Sequence, residues 1–222
     1  MNADRQLLSV LLALTFVTGI VDAVSYLGLG HVFTANMTGN VVLLGFAVAG
    51  ASGLSATRSV LSLVAFLAGA VCAGRLSVLT LNTPRRRWLV TAGALEAGLL
   101  LAAAVVSIGA DTRLDAPSGA VYVVIALTAA AMGFRTMTVR QLAVPDMTTT
   151  VLTQTLAAIA GESWLAGGGN PRIGRRVAAV ALMFAGAAVG TLLLRYGLAV
   201  PLIVSGACVL GAALYAARAH GE

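Results

Sequence analysis

The chain has 222 residues, 59% of them hydrophobic and 10% charged, and its mean hydropathy is +0.96. A soluble domain carries about 25% charged residues, so lipid is the expected solvent and the apolar runs leave no room for a soluble domain. The net charge of +6 comes from fourteen arginines set in short loops between apolar runs. No basic stripe carries interleaved aromatics, which excludes nucleic acid as a partner.

Six apolar segments of about twenty residues are read at roughly 7–29, 58–81, 87–109, 118–140, 175–195 and 198–218. Each is long enough to cross a hydrocarbon core of about 30 Å. The first is too long for the apolar region of a signal peptide and contains Asp22, so it is read as a retained helix. Two shorter segments, about 36–50 and 147–161, follow the first and fourth long ones, opening with Asn36 to Asn40 and with Asp146 to Thr150. The fold class expected is an all-α polytopic membrane protein with six long transmembrane helices plus two short helices that re-enter or span.

The order long, short, long, long occurs twice, which divides a single membrane domain into a first repeat over 1–110 and a second over 117–222. Gly19 and Gly133 anchor the match, and Phe66-Leu67-Ala68-Gly69-Ala70 aligns with Met183-Phe184-Ala185-Gly186-Ala187. Polar residues at matching depths in two halves are a pattern found in membrane transporters.

Arginine placement bears on the topology. If all eight segments cross, Arg5, Arg58, Arg113, Arg172, Arg175, Arg176 and Arg218 face the other seven, and no orientation results. If the short segments dip in and return, only Arg58, Arg113 and Arg195 lie on one side and eleven lie on the other. Positive loops mark the cytoplasm, so the six-crossing arrangement is preferred, with both termini cytoplasmic and the halves inverted.

The motif Gly19-x-x-Asp22-Ala23-x-Ser25-Tyr26, followed by Phe33-x-x-Asn36-Met37-Thr38-Gly39-Asn40, resembles the YoaK family of bacterial inner-membrane proteins. Glu96-Ala97 with Leu99 and Leu100 is similar to a weaker family pattern. The resemblance covers nearly the whole chain. It implies a multi-pass protein of the bacterial inner (cytoplasmic) membrane and brings no established activity. In the second half, where it implies a small polar pair after the glycine, this chain has Arg135 and Thr136.

The candidate site residues are those that lipid tolerates poorly. Thr15, Thr18, Asp22 and Ser25 share one helix face. Asp22 inside the bilayer must be protonated, paired or wet, which makes it either a proton- or cation-coupling site or a structural hydrogen-bond partner. Asn36, Thr38, Gly39 and Asn40 open the first short helix, where free N–H groups either dock a polar group or are simply capped by Asn36. Thr149 and Thr153 are the second-half counterparts. Glu96, the only acid in its helix, is a proton-relay candidate, and Arg135 with Thr136 either binds an anion, gates the inner end or snorkels. Inversion places Asp22 and Arg135 towards opposite faces, so no direct pair between them is expected.

Cys72 and Cys208 lie alone in apolar runs, and no His, Cys and carboxylate cluster has metal-ligand spacing, so neither metal, cofactor nor catalytic residue is assigned. The expected function is a small-solute transporter or permease, with the solute unknown, the bilayer as its surroundings and a homo-oligomer compatible with the pattern. The rivals are a non-transporting assembly or lipid-associated factor and, with less support, an intramembrane enzyme.

Overall fold

A computed structural model describes residues 3–80, 85–108, 118–141 and 152–218. Among these, six long helices form the bundle: α1 (Ala3–Ala23), α3 (Ala56–Leu79), α4 (Arg85–Ser107), α5 (Gly119–Gln141), α7 (Ile173–Leu193) and α8 (Ala199–Arg218). The two short helices are α2 (Met37–Val48) and α6 (Leu152–Gly161). All six long helices are long and apolar enough to cross a membrane. At 1.5 Å per residue, α2 spans about 18 Å and α6 about 15 Å, too little to cross alone. The residues before α6, from 142 to 151, lie outside the described residues.

The helices pair in a crossed pattern. α1 packs on α7, α3 on α5, and α4 on α8, while α4 also meets α5 and α1 also meets α8. Glycines set the first two contacts. A Cβ on Gly133 would run into the Phe66 carbonyl and one on Gly69 into that of Ala130, both in the α3–α5 crossing. In the α1–α7 crossing, Gly19 meets the Met183 carbonyl and Gly186 that of Phe16. Removing side chains at these points lets backbones touch, which supplies van der Waals contact where lipid offers no hydrophobic drive.

Gln6 of α1 donates to the Tyr215 carbonyl of α8 at 2.7 Å, and Gln141 of α5 donates to Ser77 of α3 at 2.6 Å. These bonds define one end of the bundle, called here the terminal end. At the far end α1 does not stop cleanly but widens into a π-helical turn over Val24–Gly28. The chain then reverses through Gly30, whose φ of +87° suits glycine and leaves room for the Arg58 guanidinium. Arg58 donates to the Gly30 carbonyl at 3.4 Å.

An apolar cluster of Ile20, Val24, Leu29, Val32, Val124, Ile125 and Leu202 closes the far half of the bundle. A second, around Val17, Val21, Leu100, Met132 and Val209, fills the middle. The lipid-facing surface is apolar in the opposite sense: Leu67, Val105 and Phe184 point outwards, Phe184 with 76% of its surface exposed.

Candidate functional site

Among the described residues Arg135 is the largest fully buried side chain, with 1% of its surface exposed. Its Nε donates to Glu96 Oε1 at 2.5 Å, and Nη2 completes an ion pair with the same oxygen. Nη1 donates to the Leu14 carbonyl at 3.0 Å and to Thr18 Oγ1 at 2.9 Å. Thr18 itself donates back to the Leu14 carbonyl at 2.9 Å, so α1 presents two oxygens to the guanidinium. Three helices therefore hold one charge pair. A buried charge is tolerated in such an interior only when paired and hydrogen-bonded, and this arrangement supplies both.

Asp22 lies one turn beyond Thr18 towards the far end. The Ala35 backbone amide, from the segment joining α1 to α2, and the Arg135 charge both act on its carboxylate. Asp22 Oδ1 and the hydroxyl of Thr34 are buried without a hydrogen-bond partner among the described residues. Ser25 donates to the Asp22 backbone carbonyl at 3.2 Å, so its hydroxyl serves its own helix.

On the terminal side of the ion pair is a cavity of about 40 Å³. Leu11 and Leu14 of α1, Leu89 and Gly93 of α4, Thr138 and Val139 of α5, and Ala213 and Ala216 of α8 line it, with Glu96 and Arg135 as its polar end. A water needs about 10–15 Å³ of such space, so the cavity holds about three.

The remaining sequence candidates have other positions. Asn36 is exposed and caps α2, accepting the Gly39 N–H at 3.2 Å, and Thr38 is exposed in the first turn. At Gly39 a Cβ would lie 2.9 Å from the Phe33 ring, which itself stacks on Tyr26 at 4.9 Å. Asn40 is fully buried and acts as a surrogate peptide: its Oδ1 accepts the Phe33 N–H at 2.9 Å, and its Nδ2 donates to the Phe33 carbonyl at 2.5 Å and to Ser62 at 3.1 Å. Thr136 bonds its own helix at Met132, 2.8 Å away. Thr153 is exposed on α6, and Thr149 lies outside the described residues.

Glu96 and Arg135 are thus brought into contact with Asp22 nearby, whereas Asn36 to Asn40 fix the α2 entry against α3. The Glu96–Arg135 pair, the part played by Thr18 and the Leu14 carbonyl, and the pair between Arg176 of α7 and Glu162 at 2.8 Å were not anticipated. Helical depth was the available signal for the first. From the terminal end, Glu96 is eleven residues into α4 and Arg135 six residues from the end of α5, about 16 and 9 Å deep. An extended arginine spans that difference between neighbouring antiparallel helices. Among the described residues no three His, Cys, Asp or Glu side chains gather as a metal site.

No solved structure gives a significant match to the chain. A relative described as "UPF0700 transmembrane protein YoaK", from Bacillus subtilis (strain 168), is 39% identical over 157 residues, which cover 71% of this chain. The chain spans 66% of that relative's length. A family model described as "Protein of unknown function (DUF1275)" matches residues 10–215, nearly the whole bundle with its charge pair and far-end turn. The chain belongs to this YoaK family of integral membrane proteins.

Proposed function

We propose that this protein is a small-solute transporter or permease whose central element is the Arg135–Glu96 pair with Asp22 beside it. The observation that carries the reading is an ion pair at the bundle centre with a cavity on its terminal side and apolar packing on its far side. Polar solute passing such a point would exchange with Glu96 or Asp22 for the guanidinium, and Asp22, with one oxygen unpartnered, would supply proton or cation coupling. The terminal end would face the cytoplasm of a bacterial inner membrane, since Arg5, Arg75, Arg87 and Arg140 are exposed there. In this reading the chain is not an enzyme.

The neighbour pattern supports two inverted repeats. Exchanging the halves turns the α1–α7 contact into α5–α3 and the α1–α8 contact into α5–α4, while α4–α8 maps onto itself. The matched glycine contacts exchange in the same way, Gly69 on Ala130 for Gly186 on Phe16. Shifting by the Gly19-to-Gly133 spacing carries cavity residues Val10, Leu11 and Leu14 onto Val124, Ile125 and Thr128, and Thr138 and Val139 onto Val24 and Ser25. The second set is buried in the far-end core. Alternating access would then open the far side along Thr128 and Ser25 as the terminal side closed.

Cysteine accessibility tests this. In a chain with Cys72 and Cys208 replaced, Thr138→Cys and Ala213→Cys are expected to react with a membrane-impermeant maleimide from the terminal side. Thr128→Cys is expected to react from the opposite side, in a minor fraction. Inert cysteines at 138 and 213 in correctly inserted protein would sink the transport reading. They would favour a non-transporting assembly or lipid-associated factor, which the small cavity and the protein-satisfied Asn40 also support.

A further inference from the structure

The bundle has a second opening, on its flank. Helices α3 and α4 are consecutive in the chain, yet they make little direct contact and pack instead on α5 and α8. The groove left between them measures about 620 Å³. Its walls are Cys72, Leu76 and Leu79 of α3 and Leu95 and Gly98 of α4, and Phe134 of α5 is its floor. Gly98 is exposed, and nothing lies within 4 Å of where its Cβ would be.

The groove follows the course of a lipid chain. Its lining runs along α3 from Leu79, at the terminal end, to Cys72, seven residues and about 10 Å of rise. One leaflet of a hydrocarbon core is about 15 Å deep, half of about 30 Å. A groove that reaches most of the way through that leaflet, apolar but for Arg75 and open sideways, accepts the outer part of an acyl chain lying along the membrane normal.

Charge selects among lipids. Arg75 also lines the groove, four residues before the end of α3, and is exposed among lipid-facing Val71, Val78 and Leu79. It has no hydrogen-bond or ion-pair partner among the described residues, unlike Arg135 and Arg176. A guanidinium facing lipid is costly unless it reaches the interface or an anion, and its planar fork matches phosphate. Arg87 is exposed at the same end and adds to the attraction.

We propose that the α3–α4 groove binds one anionic phospholipid of the leaflet at the terminal end, its acyl chain against Phe134 and its phosphate on Arg75. The site is independent of whether the Arg135 cluster conducts solute.

Native mass spectrometry of the purified full chain tests it, with added phosphatidylglycerol or phosphatidylcholine of identical acyl chains. A basic residue at an anionic surface is worth roughly 1 kcal/mol, or about fivefold in affinity. One phosphatidylglycerol is therefore expected to bind about fivefold or more tightly than phosphatidylcholine. Arg75→Gln should bring the two to parity. Gly98→Leu, whose Cβ meets nothing within 4 Å and whose side chain enters the groove, should abolish the adduct while the protein melts as the wild type does. Arg140→Gln, exposed at the same end and outside the groove, should change nothing. Equal binding of both lipids, a preference that survives Arg75→Gln, an adduct that survives Gly98→Leu, or an equal loss in Arg140→Gln overturns the proposal. So does a dimer that disappears in Gly98→Leu, which would assign the groove to a second copy of the chain.

Discussion

Glu96→Gln is the sharpest perturbation of the bundle centre. The side chain keeps its size and loses its charge, while Arg135, with 1% of its surface exposed, keeps only the Leu14 carbonyl and the Thr18 hydroxyl as strong acceptors. Leaving one charge of a buried pair uncompensated costs about 3–5 kcal/mol. For a chain of this size each kcal/mol moves the melting temperature by about 2–4 °C. Detergent-solubilised Glu96→Gln is thus expected to melt about 6–20 °C below the wild type. Replacing both partners, Glu96→Leu with Arg135→Met, removes both charges and should return the melt to within about 4 °C of the wild type, because apolar substitutes for a buried pair are often neutral or stabilising. The assay is thermal unfolding followed by size-exclusion recovery of monodisperse protein. A Glu96→Gln melt within 2 °C of the wild type, or a double variant no better than the single, would refute the pairing argument. If the pair also serves transport, the double variant recovers stability and not solute flux.

Three further outcomes follow from the packing. Asn40→Ala leaves the Phe33 N–H and carbonyl and the Ser62 hydroxyl short of a buried partner; at about 1–3 kcal/mol the melt should fall by about 2–12 °C, and an unchanged melt would contradict the surrogate-peptide role. Asn36→Ala removes only the α2 cap, worth about 1 kcal/mol, and Asn36→Asp should restore it in the same assay. Gly133→Ala forces a methyl against the Phe66 carbonyl, an overpacking cost of about 1–3 kcal/mol; Gly74→Ala, whose Cβ meets nothing within 4 Å, is the control that should melt as the wild type does.

Much of the fold was legible because lipid imposes a simple rule. A crossing helix needs about twenty apolar residues, so the six long segments announced themselves, five of them with ends displaced by at most two residues and the first starting four residues earlier, at Ala3, and turning π-helical after Ala23. The short segments were also visible, because the polar openings Asn36 to Asn40 and Asp146 to Thr150 interrupt the apolar pattern. The small residues Gly19, Gly69, Gly133 and Gly186 stood out as alignment anchors, and the structure makes them the contact points of two helix crossings. The π-helical turn at Val24–Gly28 left no mark on composition, since its residues are as apolar as the helix before them.

The candidate site was legible as a set of residue types and illegible as an arrangement. Burying Asp22, Glu96 and Arg135 in an apolar chain is a demand that the sequence states outright: each must find a partner, a proton or water. Which partner is a question of how helices rotate about their axes, and periodicity fixes a face without saying what that face meets. The packing of α4 against α5 turned Glu96 from a lone relay candidate into the counter-ion of Arg135, and α1 added Thr18 and Leu14. The same packing gave Asn40 to the Phe33 backbone and left Asn36 and Thr38 facing outwards. Length, polarity and depth are properties of single segments, so the sequence alone determined them. Pairing depends on the relative rotation and separation of segments far apart in the chain, 121 positions for Leu14 and Arg135 and 209 for Gln6 and Tyr215, and only the tertiary structure decided it.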